Sequence, residues 1–227
     1  MLENSQQNGQ SLAQRVASKI ETLIKEQRYK VGDKLPNEFE LATELNVGRG
    51  TIREAIKLLA ARNVVMIQRG KGTFVSEHPG LTEDPLGLGF ITDKKRLSHD
   101  LMDVRVMIEP EIAKLAAENA TQAEVKEMEE ICLEIEALIH DNKNHEEKDI
   151  QLHSAIAKAS KNLVVPSLIP IIQTAISLFI NLTNRSLKEE TIETHRQIVN
   201  AIKIKDGEAA KKAMQRHLVY NKEELNI

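Results

Sequence analysis

The sequence contains few of the residues on which several classes of protein depend. It has a single cysteine, Cys132, which excludes an intramolecular disulfide framework and fits a reducing compartment. Aromatic residues make up 3% of the chain, with no tryptophan, and ten glycines and six prolines are too few for a loop-rich β protein of 227 residues. Alanine, leucine, isoleucine, glutamate and lysine dominate instead, and they favour helices.

Long uninterrupted apolar runs are also missing. The most apolar stretch, residues 163–180, is broken by two prolines and several polar side chains, which makes it a poor membrane span. The first eleven residues are polar and lack the apolar core of a signal peptide. We therefore expect a cytoplasmic protein with no membrane partner. Its length allows one large or two modest domains.

Charge is divided unevenly along the chain. The net charge is −3, but residues 1–78 hold 12 Lys and Arg against 9 Asp and Glu, whereas residues 79–227 hold 19 against 25. Residues 49–71 concentrate six cations against one acid, a patch of the kind that phosphates attract. A solvated helix face would give the same charge run, so the elements around the patch must decide between these interpretations.

The N-terminal third predicts a helix-turn-helix. Apolar residues recur at helical spacing after Ser11, and Asn37 with Glu40 forms a capping-box pattern that opens a short second helix. A tight, glycine-containing turn at 46–48 then leads into a third helix over 49–61. Two helices joined by such a turn are typical of this DNA-binding motif.

The period of the apolar residues changes after the third helix. Residues 64–67 and 73–75 are strand candidates, and a basic, glycine-rich tip lies between them. Three helices followed by such a hairpin predict a winged helix-turn-helix over residues 1–78, with its second motif helix in the major groove. Residues 79–90 predict a linker, because prolines and glycines interrupt them.

The remaining residues, 91–227, predict an antiparallel helical bundle of six or seven helices, so the fold class is mainly α. Pro110 is expected to kink the first long helix. Asp206 and Gly207 make the last connection tight, which makes the final two helices antiparallel neighbours. The predicted helices cover residues 98–119, 121–140, 145–160, 166–184, 188–205 and 207–224.

Four residues of this domain form a candidate metal site. Asp149 and His153 are four residues apart, so they lie on one face of a helix. His195 and His217 lie 11 and 10 residues from the turn at 206–207, so on antiparallel helices both are about 15–17 Å from it and level with each other. One carboxylate and three imidazoles suit a divalent transition metal such as Zn²⁺, Ni²⁺ or Mn²⁺.

Three N-terminal motifs stand out in combination. They are Leu-Pro-Asn-Glu at 35–38, Val-Gly-Arg-Gly-Thr-Ile-Arg-Glu-Ala at 47–55 and Arg-Gly-Lys-Gly-Thr-Phe-Val at 69–75. Together they closely resemble the DNA-binding domain of the GntR family of bacterial transcription regulators. The pattern departs from the family at Phe39, where an arginine that commonly touches DNA is usual, and at Gly48 and Gly50, where hydroxyl residues are usual.

Further motifs follow in the C-terminal half. They are Arg105-x3-Glu109-Pro110, Asp149-x3-His153, His195-x2-Ile198 and Met214-x2-His217. They look like the helical ligand-binding domain of the FadR subfamily, whose metal positions coincide with the four candidate ligands. The resemblance therefore spans nearly the whole chain, and it implies a dimeric, effector-controlled DNA-binding protein.

This resemblance and the chemistry of the side chains indicate two further sets of residues. Arg49 at the start of the third helix suits bidentate contact with guanine, and wing glycines let the backbone approach DNA. The expected DNA contacts are Arg49, Thr51, Arg53, Lys57, Arg69, Gly70, Lys71 and Gly72. Arg53 could instead pair with Glu40 or Glu44. The expected contacts to a small carboxylate effector are Arg105, Asn181 and Arg185, although Arg105 could instead pair with Glu109.

The sequence thus predicts a transcription regulator, expected to be a repressor, that binds an inverted-repeat operator as a homodimer and responds to a small carboxylate at the metal site. Two alternatives stay open. One is a metal-dependent hydrolase, which leaves the winged helix unexplained. The other is a DNA-binding regulator whose metal is purely structural.

Overall fold

A computed structural model describes residues 9–82, 84–183 and 188–225 of the chain. They form two compact units, Met1–Glu83 and Asp84–Ile227. Each unit has its own buried apolar cluster, as two separate domains require.

The N-terminal unit consists of three helices and a hairpin. Ser11 and Asn37 cap the first two helices, and both form the capping box with the residue three positions on, as the sequence predicted for Asn37. The core contains apolar side chains of all three helices, including Ile20, Leu41 and Leu59. The elements are α1 (Leu12–Lys25), α2 (Glu38–Leu45), α3 (Arg49–Ala61), β1 (Val65–Gln68) and β2 (Gly72–Val75).

The hairpin of β1 and β2 is the predicted wing. The strands are antiparallel, with Val65 opposite Val75 and Gln68 opposite Gly72. Gly70 has a φ of 75°, a left-handed conformation that side chains disfavour, and the amide of Lys71 closes the turn on the Gln68 carbonyl at 2.9 Å. The tip therefore projects as a short loop without a bulky side chain at its bend.

The C-terminal unit contains six α-helices within its described residues. They are α4 (Lys94–Asn119), α5 (Gln122–His140), α6 (Glu146–Ala159), α7 (Ile169–Thr183), α8 (Lys188–Lys203) and α9 (Gly207–Glu224). The first helix begins four residues earlier than predicted, because Asp93 accepts a hydrogen bond from the Arg96 amide and caps it. The apolar segment before it forms only a short 3₁₀ turn, Leu88–Phe90.

One expectation, that the most apolar stretch is a poor membrane span, needs correction. By length and composition alone, Val165–Thr183 could cross a membrane, with a mean hydropathy of 1.7, so the polar interruptions do not exclude a span. About a third of it is buried in the unit. It consists of a 3₁₀ turn followed by α7, which packs against α4 and α6. This packing favours a core helix of the C-terminal unit.

Candidate functional site

The third helix presents a basic stripe. Its apolar residues Ile52, Ala55, Ile56 and Leu59 are buried. Positions 49, 53 and 57 lie one turn apart on another side, so Arg49, Arg53 and Lys57 form one exposed line of cations. Thr51 is half-buried in the first turn. The residue that precedes the helix, Gly48, has no side chain to cap it, whereas α1 and α2 have side-chain caps.

Two cations of this stripe have acidic partners. The guanidinium of Arg53 donates to both carboxylate oxygens of Glu38 on α2, at 2.8 and 3.2 Å, rather than to Glu40 or Glu44. Lys57 Nζ lies 2.9 Å from Glu54 Oε1. Both pairs are exposed, so water and salt screen them and DNA phosphates could compete for the cations.

The wing lies close to the second helix. Residues 68–73 of the wing line a cavity of about 420 Å³ together with Pro36, Asn37 and Glu38. Arg69, Gly70 and Lys71 are exposed at the tip, and Gly72 is half-buried. The cations of the tip and those of α3 therefore belong to one unit and remain accessible to a phosphate backbone. Phe39, on the first turn of α2, is 67% exposed.

Three histidines meet in the interior of the C-terminal unit. His153 on α6, His195 on α8 and His217 on α9 are each 2% exposed. Their ring centroids are 4.7 to 5.9 Å apart, and one ligand atom from each lies within 4.8 Å of the others. The structure thus brings together three of the four predicted ligands. Two of them, His195 and His217, are the pair whose spacing from the turn at 206–207 predicted that they lie level with each other on the final hairpin.

Asp149 also points at this cluster. Its Oδ1 lies 3.2 Å from Nε2 of His195. Neither Oδ1 nor either ring nitrogen of His195 has a hydrogen-bond partner among the residues that the structure describes. A buried polar atom without a partner costs about 1–3 kcal/mol. Ligands at about 2.0–2.2 Å from Zn²⁺ lie about 3–3.5 Å apart, so the contact fits two groups that share an ion.

Burial keeps two of the imidazoles, those of His195 and His217, in the form that binds metals. It lowers the pKa of His195 to about 4, against an opposing effect of Asp149. Burial and the neighbouring His195 and His153 hold the pKa of His217 well below its usual range. Neutral rings with free lone pairs are the form that ligates, so this cluster fits a divalent transition metal.

Arg105 of α4 lies beside the cluster and is paired with Glu109. It is 1% exposed, and its Nε donates to Glu109 Oε1. Its Nη2 lies 3.3 and 3.4 Å from the two ring nitrogens of His153. Burial raises the pKa of Glu109, but Arg105 and His153 outweigh it and lower that pKa to about 2. The structure therefore contains the intrahelical pair, and the pair touches the histidine cluster.

The other expected effector residues are placed differently. Asn181 is exposed on α7, whereas the cluster is buried, so it does not reach inward as the sequence suggested. Arg185 lies outside the described residues.

Two family descriptions cover most of the chain. Residues 12–75 match "Bacterial regulatory proteins, gntR family", and residues 100–220 match "FCD domain". The chain belongs to the GntR family of bacterial regulators. It is a DNA-binding transcription regulator with an FCD domain, and the relatives it matches are regulators and not enzymes.

Its relatives include regulators of several operons. A protein of Escherichia coli named as a regulator of the L-lactate dehydrogenase operon is 32% identical, over 92% of this chain and 84% of that protein. The galactonate operon transcriptional repressor of the same species is 31% identical, over 82% and 84%. The solved structure of Streptococcus agalactiae GntR is 39% identical, covers 93% of this chain and 99% of its own, and gives a TM-score of 0.81.

Sequence reasoning missed three polar residues around the histidines of the FCD domain. Glu109 Oε2 lies 2.5 Å from His153 Nδ1, Thr194 Oγ1 lies 2.9 Å from His217 Nδ1, and Asn221 Nδ2 lies 3.2 Å from His217 Nε2. Asn221 follows His217 by four residues, so helical spacing could have found it. The sequence had no such signal for the contact of Glu109 with His153, which are 44 residues apart.

Proposed function

We propose that this regulator is a cytoplasmic, homodimeric repressor that binds an inverted-repeat operator and releases it when a small carboxylate reaches the FCD domain. Asp149, His153, His195 and His217 would hold a divalent transition metal there. The observation that carries the proposal is the buried cluster itself, in which Asp149 Oδ1 and the His195 ring nitrogens have no partner among the described residues.

A bound divalent metal would supply a Lewis-acidic centre that attracts carboxylate oxygens. The chain's own contribution is a buried guanidinium beside it, since Arg105 Nη2 lies within 3.4 Å of the His153 ring. Arg suits planar recognition of a carboxylate by two parallel hydrogen bonds. The names of two relatives mention lactate and galactonate, which are both hydroxy acids, and this supports the same class of effector.

The DNA contacts of the proposal lie on the N-terminal unit. Arg49 and Arg53 of α3 would enter the major groove, and Thr51 and Lys57 would contact phosphates. Arg69, Gly70, Lys71 and Gly72 would meet the backbone or the minor groove from the wing. These roles are supported by the exposure of the cations on the stripe and at the tip of the hairpin.

Dimerisation is supported by apolar surface on the FCD domain. Met107 is 73% exposed and Val104 40% exposed on α4, and Leu182 at the end of α7 is 43% exposed. Helices α4 and α7 pack together, and much of α7 is only half-buried. A second copy of the chain would cover such a surface, as symmetric dimers do.

Binding of a carboxylate would reach the DNA-binding unit through the chain itself. Helix α4 carries Arg105 and is the first long helix after the linker at 79–90. A ligand that draws Arg105 toward the metal would shift this helix and the linker attached to it. A coupling free energy of about 1–3 kcal/mol would change operator affinity about 5–150-fold.

A second candidate function is favoured by the depth of the cluster. Its three histidines are 2% exposed, which is typical of closed structural metal sites. In that case the metal would stabilise the FCD domain, and operator affinity would ignore small carboxylates.

One experiment separates the two candidates. An operator selected from random duplexes is titrated with Zn²⁺-loaded protein in the presence of L-lactate, galactonate or acetate, and again after treatment with EDTA. If the effector proposal is correct, at least one hydroxy acid weakens operator binding about fivefold or more, and it does so only while the metal is bound. If the protein binds the operator specifically and no carboxylate changes that affinity, the result favours the candidate in which the metal is purely structural.

A further inference from the structure

We infer that Glu109 is a positioning residue of the metal centre, whose carboxylate holds His153 in the tautomer that presents Nε2 to the ion. The inference rests on the metal centre proposed above and adds a residue on α4, a helix that supplies none of the four ligands. It follows from the hydrogen bonds around the ring of His153.

The first observation is the bond between the two side chains. Glu109 Oε2 lies 2.5 Å from His153 Nδ1, and both side chains are almost fully buried. A carboxylate accepts hydrogen bonds, so the proton of the neutral ring resides on Nδ1. The lone pair of the ring is then on Nε2, which leaves Nε2 as the ligand atom. Arg105 Nη2 is nearly equidistant from both ring nitrogens and does not favour either.

The second observation is that Glu109 is itself held in place. Its other oxygen, Oε1, accepts from Nε of Arg105 one turn earlier on the same helix. Arg105 is anchored in turn, since its Nη1 lies 3.7 Å from the sulfur of Met102. With both oxygens engaged in the domain interior, the carboxylate cannot rotate freely, so it fixes the plane of the His153 ring.

A matching arrangement holds a second ring. The hydroxyl of Thr194 donates to the Glu190 carbonyl at 2.6 Å and therefore accepts from His217 Nδ1 at 2.9 Å. The lone pair of His217 is again on Nε2, within reach of the Asn221 amide at 3.2 Å. Two of the three rings are thus set in the same tautomer by residues outside the ligand set, as ligating histidines usually are.

This arrangement explains why a buried acid lies beside the metal ligands. An acid that served only to neutralise Arg105 would need no contact with the imidazole. Glu109 instead bridges Arg105, the expected carboxylate contact, and His153, an expected metal ligand. Through this bridge, α4 is attached to the centre without supplying a ligand.

The test compares two variants of the same helix in the full-length protein. Glu109→Gln removes the charge. Because Arg105 Nε only donates, it keeps the amide oxygen on its side, so the amide N–H faces the ring and favours the other tautomer. The control, Glu111→Gln, removes an exposed carboxylate that pairs with Lys211. We expect Zn²⁺ affinity, measured by competition with a chromophoric chelator, to fall about 10–100-fold in Glu109→Gln and to stay unchanged in Glu111→Gln.

A second measurement needs no substitution at Glu109. Long-range ¹H–¹⁵N spectra of metal-free protein labelled at histidine, with His153 assigned from the His153→Asn spectrum, should show a protonated Nδ1 and a bare Nε2. A bare Nδ1 would overturn the inference, and so would wild-type Zn²⁺ affinity in Glu109→Gln. If wild-type protein binds none of Zn²⁺, Ni²⁺ and Mn²⁺, the proposed metal centre fails instead.

Discussion

Arg53 on α3 is bound by Glu38 on α2 through two hydrogen bonds, with Nη2 2.8 Å from Oε2 and Nε 3.2 Å from Oε1. The pair joins the two helices of the DNA-binding motif on their exposed side. Hydrogen bonding to Arg53 lowers the pKa of Glu38, so the carboxylate is charged at neutral pH. A negative charge therefore lies on the surface that we propose to meet phosphates.

The first prediction concerns this pair. Glu38→Gln should tighten binding to non-cognate duplex DNA about threefold to tenfold at low salt, because it removes a repelling charge and frees Arg53 for a phosphate. The salt slope of binding should steepen by about 1. Operator affinity should rise less, because Arg53 loses the partner that orients it. Fluorescence anisotropy with operator and scrambled duplexes at several salt concentrations measures all three effects.

The matched control for this prediction is Glu26→Gln, which removes the same charge at the C-terminal end of α1. It should leave both affinities and the salt slope unchanged. Equal effects of the two substitutions would mean that net charge, and not the pair with Arg53, governs the interaction with DNA.

The second prediction distinguishes the recognition helix from the wing. Arg49→Ala should cost about 1–3 kcal/mol of operator binding and relax base preference at one position in each half-site. Arg69→Ala should weaken operator and scrambled DNA more evenly and lower the salt slope. Selection of operators by each variant from a random pool checks the difference. An Arg49→Ala variant with wild-type affinity at the same salt would contradict the assignment of α3.

The parts of the fold that the sequence predicted well are the helix bounds that local caps and turns determine. The bounds of α2 and α3 follow from caps and turns within a few residues, such as the Asn37 capping box and the turn at 46–48, so they were predicted nearly to the residue. The start of α4 was missed because its first turn is polar and shows no apolar period. Its cap, Asp93, is followed by Lys-Lys-Arg rather than by the Glu or Gln of a capping box.

Contacts between distant residues explain what the sequence did not predict. The two histidines of the final hairpin were predicted to meet because the turn at 206–207 sets their levels, and the ring centroids of His195 and His217 lie 4.7 Å apart. Spacing alone showed Glu109 only as a neighbour of Arg105 on the same helix. Its contact with His153 depends on how α4 packs against α6, which periodicity does not encode.

The third prediction concerns metal content. His195→Ala and His217→Ala made together should abolish stoichiometric binding of Zn²⁺, Ni²⁺ or Mn²⁺, because two of the four proposed ligands are lost. Metal at 100 times its dissociation constant adds about 2.7 kcal/mol to wild-type stability, so Zn²⁺ should raise the melting temperature of wild type by several degrees but not that of the double variant. His140→Ala, which removes an exposed histidine, is the control. Full metal retention in the double variant would exclude the site.

The fourth prediction concerns pH in the metal-free protein. Because the pKa of His195 is about 4 in the folded state and its usual value is 6.5, the unfolded state binds more protons between these values. The free energy of unfolding should therefore fall as pH drops from 6.5 toward 4, by on the order of 3 kcal/mol for this group. Urea unfolding in EDTA should show a shallower dependence in His195→Asn than in wild type. Identical slopes would argue against a buried, neutral His195.

The fifth prediction compares a buried ion pair with an exposed one. Arg105→Met leaves Glu109 charged and uncompensated in the interior, so it should cost about 3–5 kcal/mol of stability. Arg196→Met breaks the exposed pair with Glu136 and should cost less than about 1 kcal/mol. Adding Glu109→Leu to Arg105→Met should restore most of the loss, because neither position then leaves an unpaired charge in the interior. Urea unfolding in EDTA keeps metal out of the comparison, and equal costs for the two arginine substitutions would contradict the burial of the Arg105 pair.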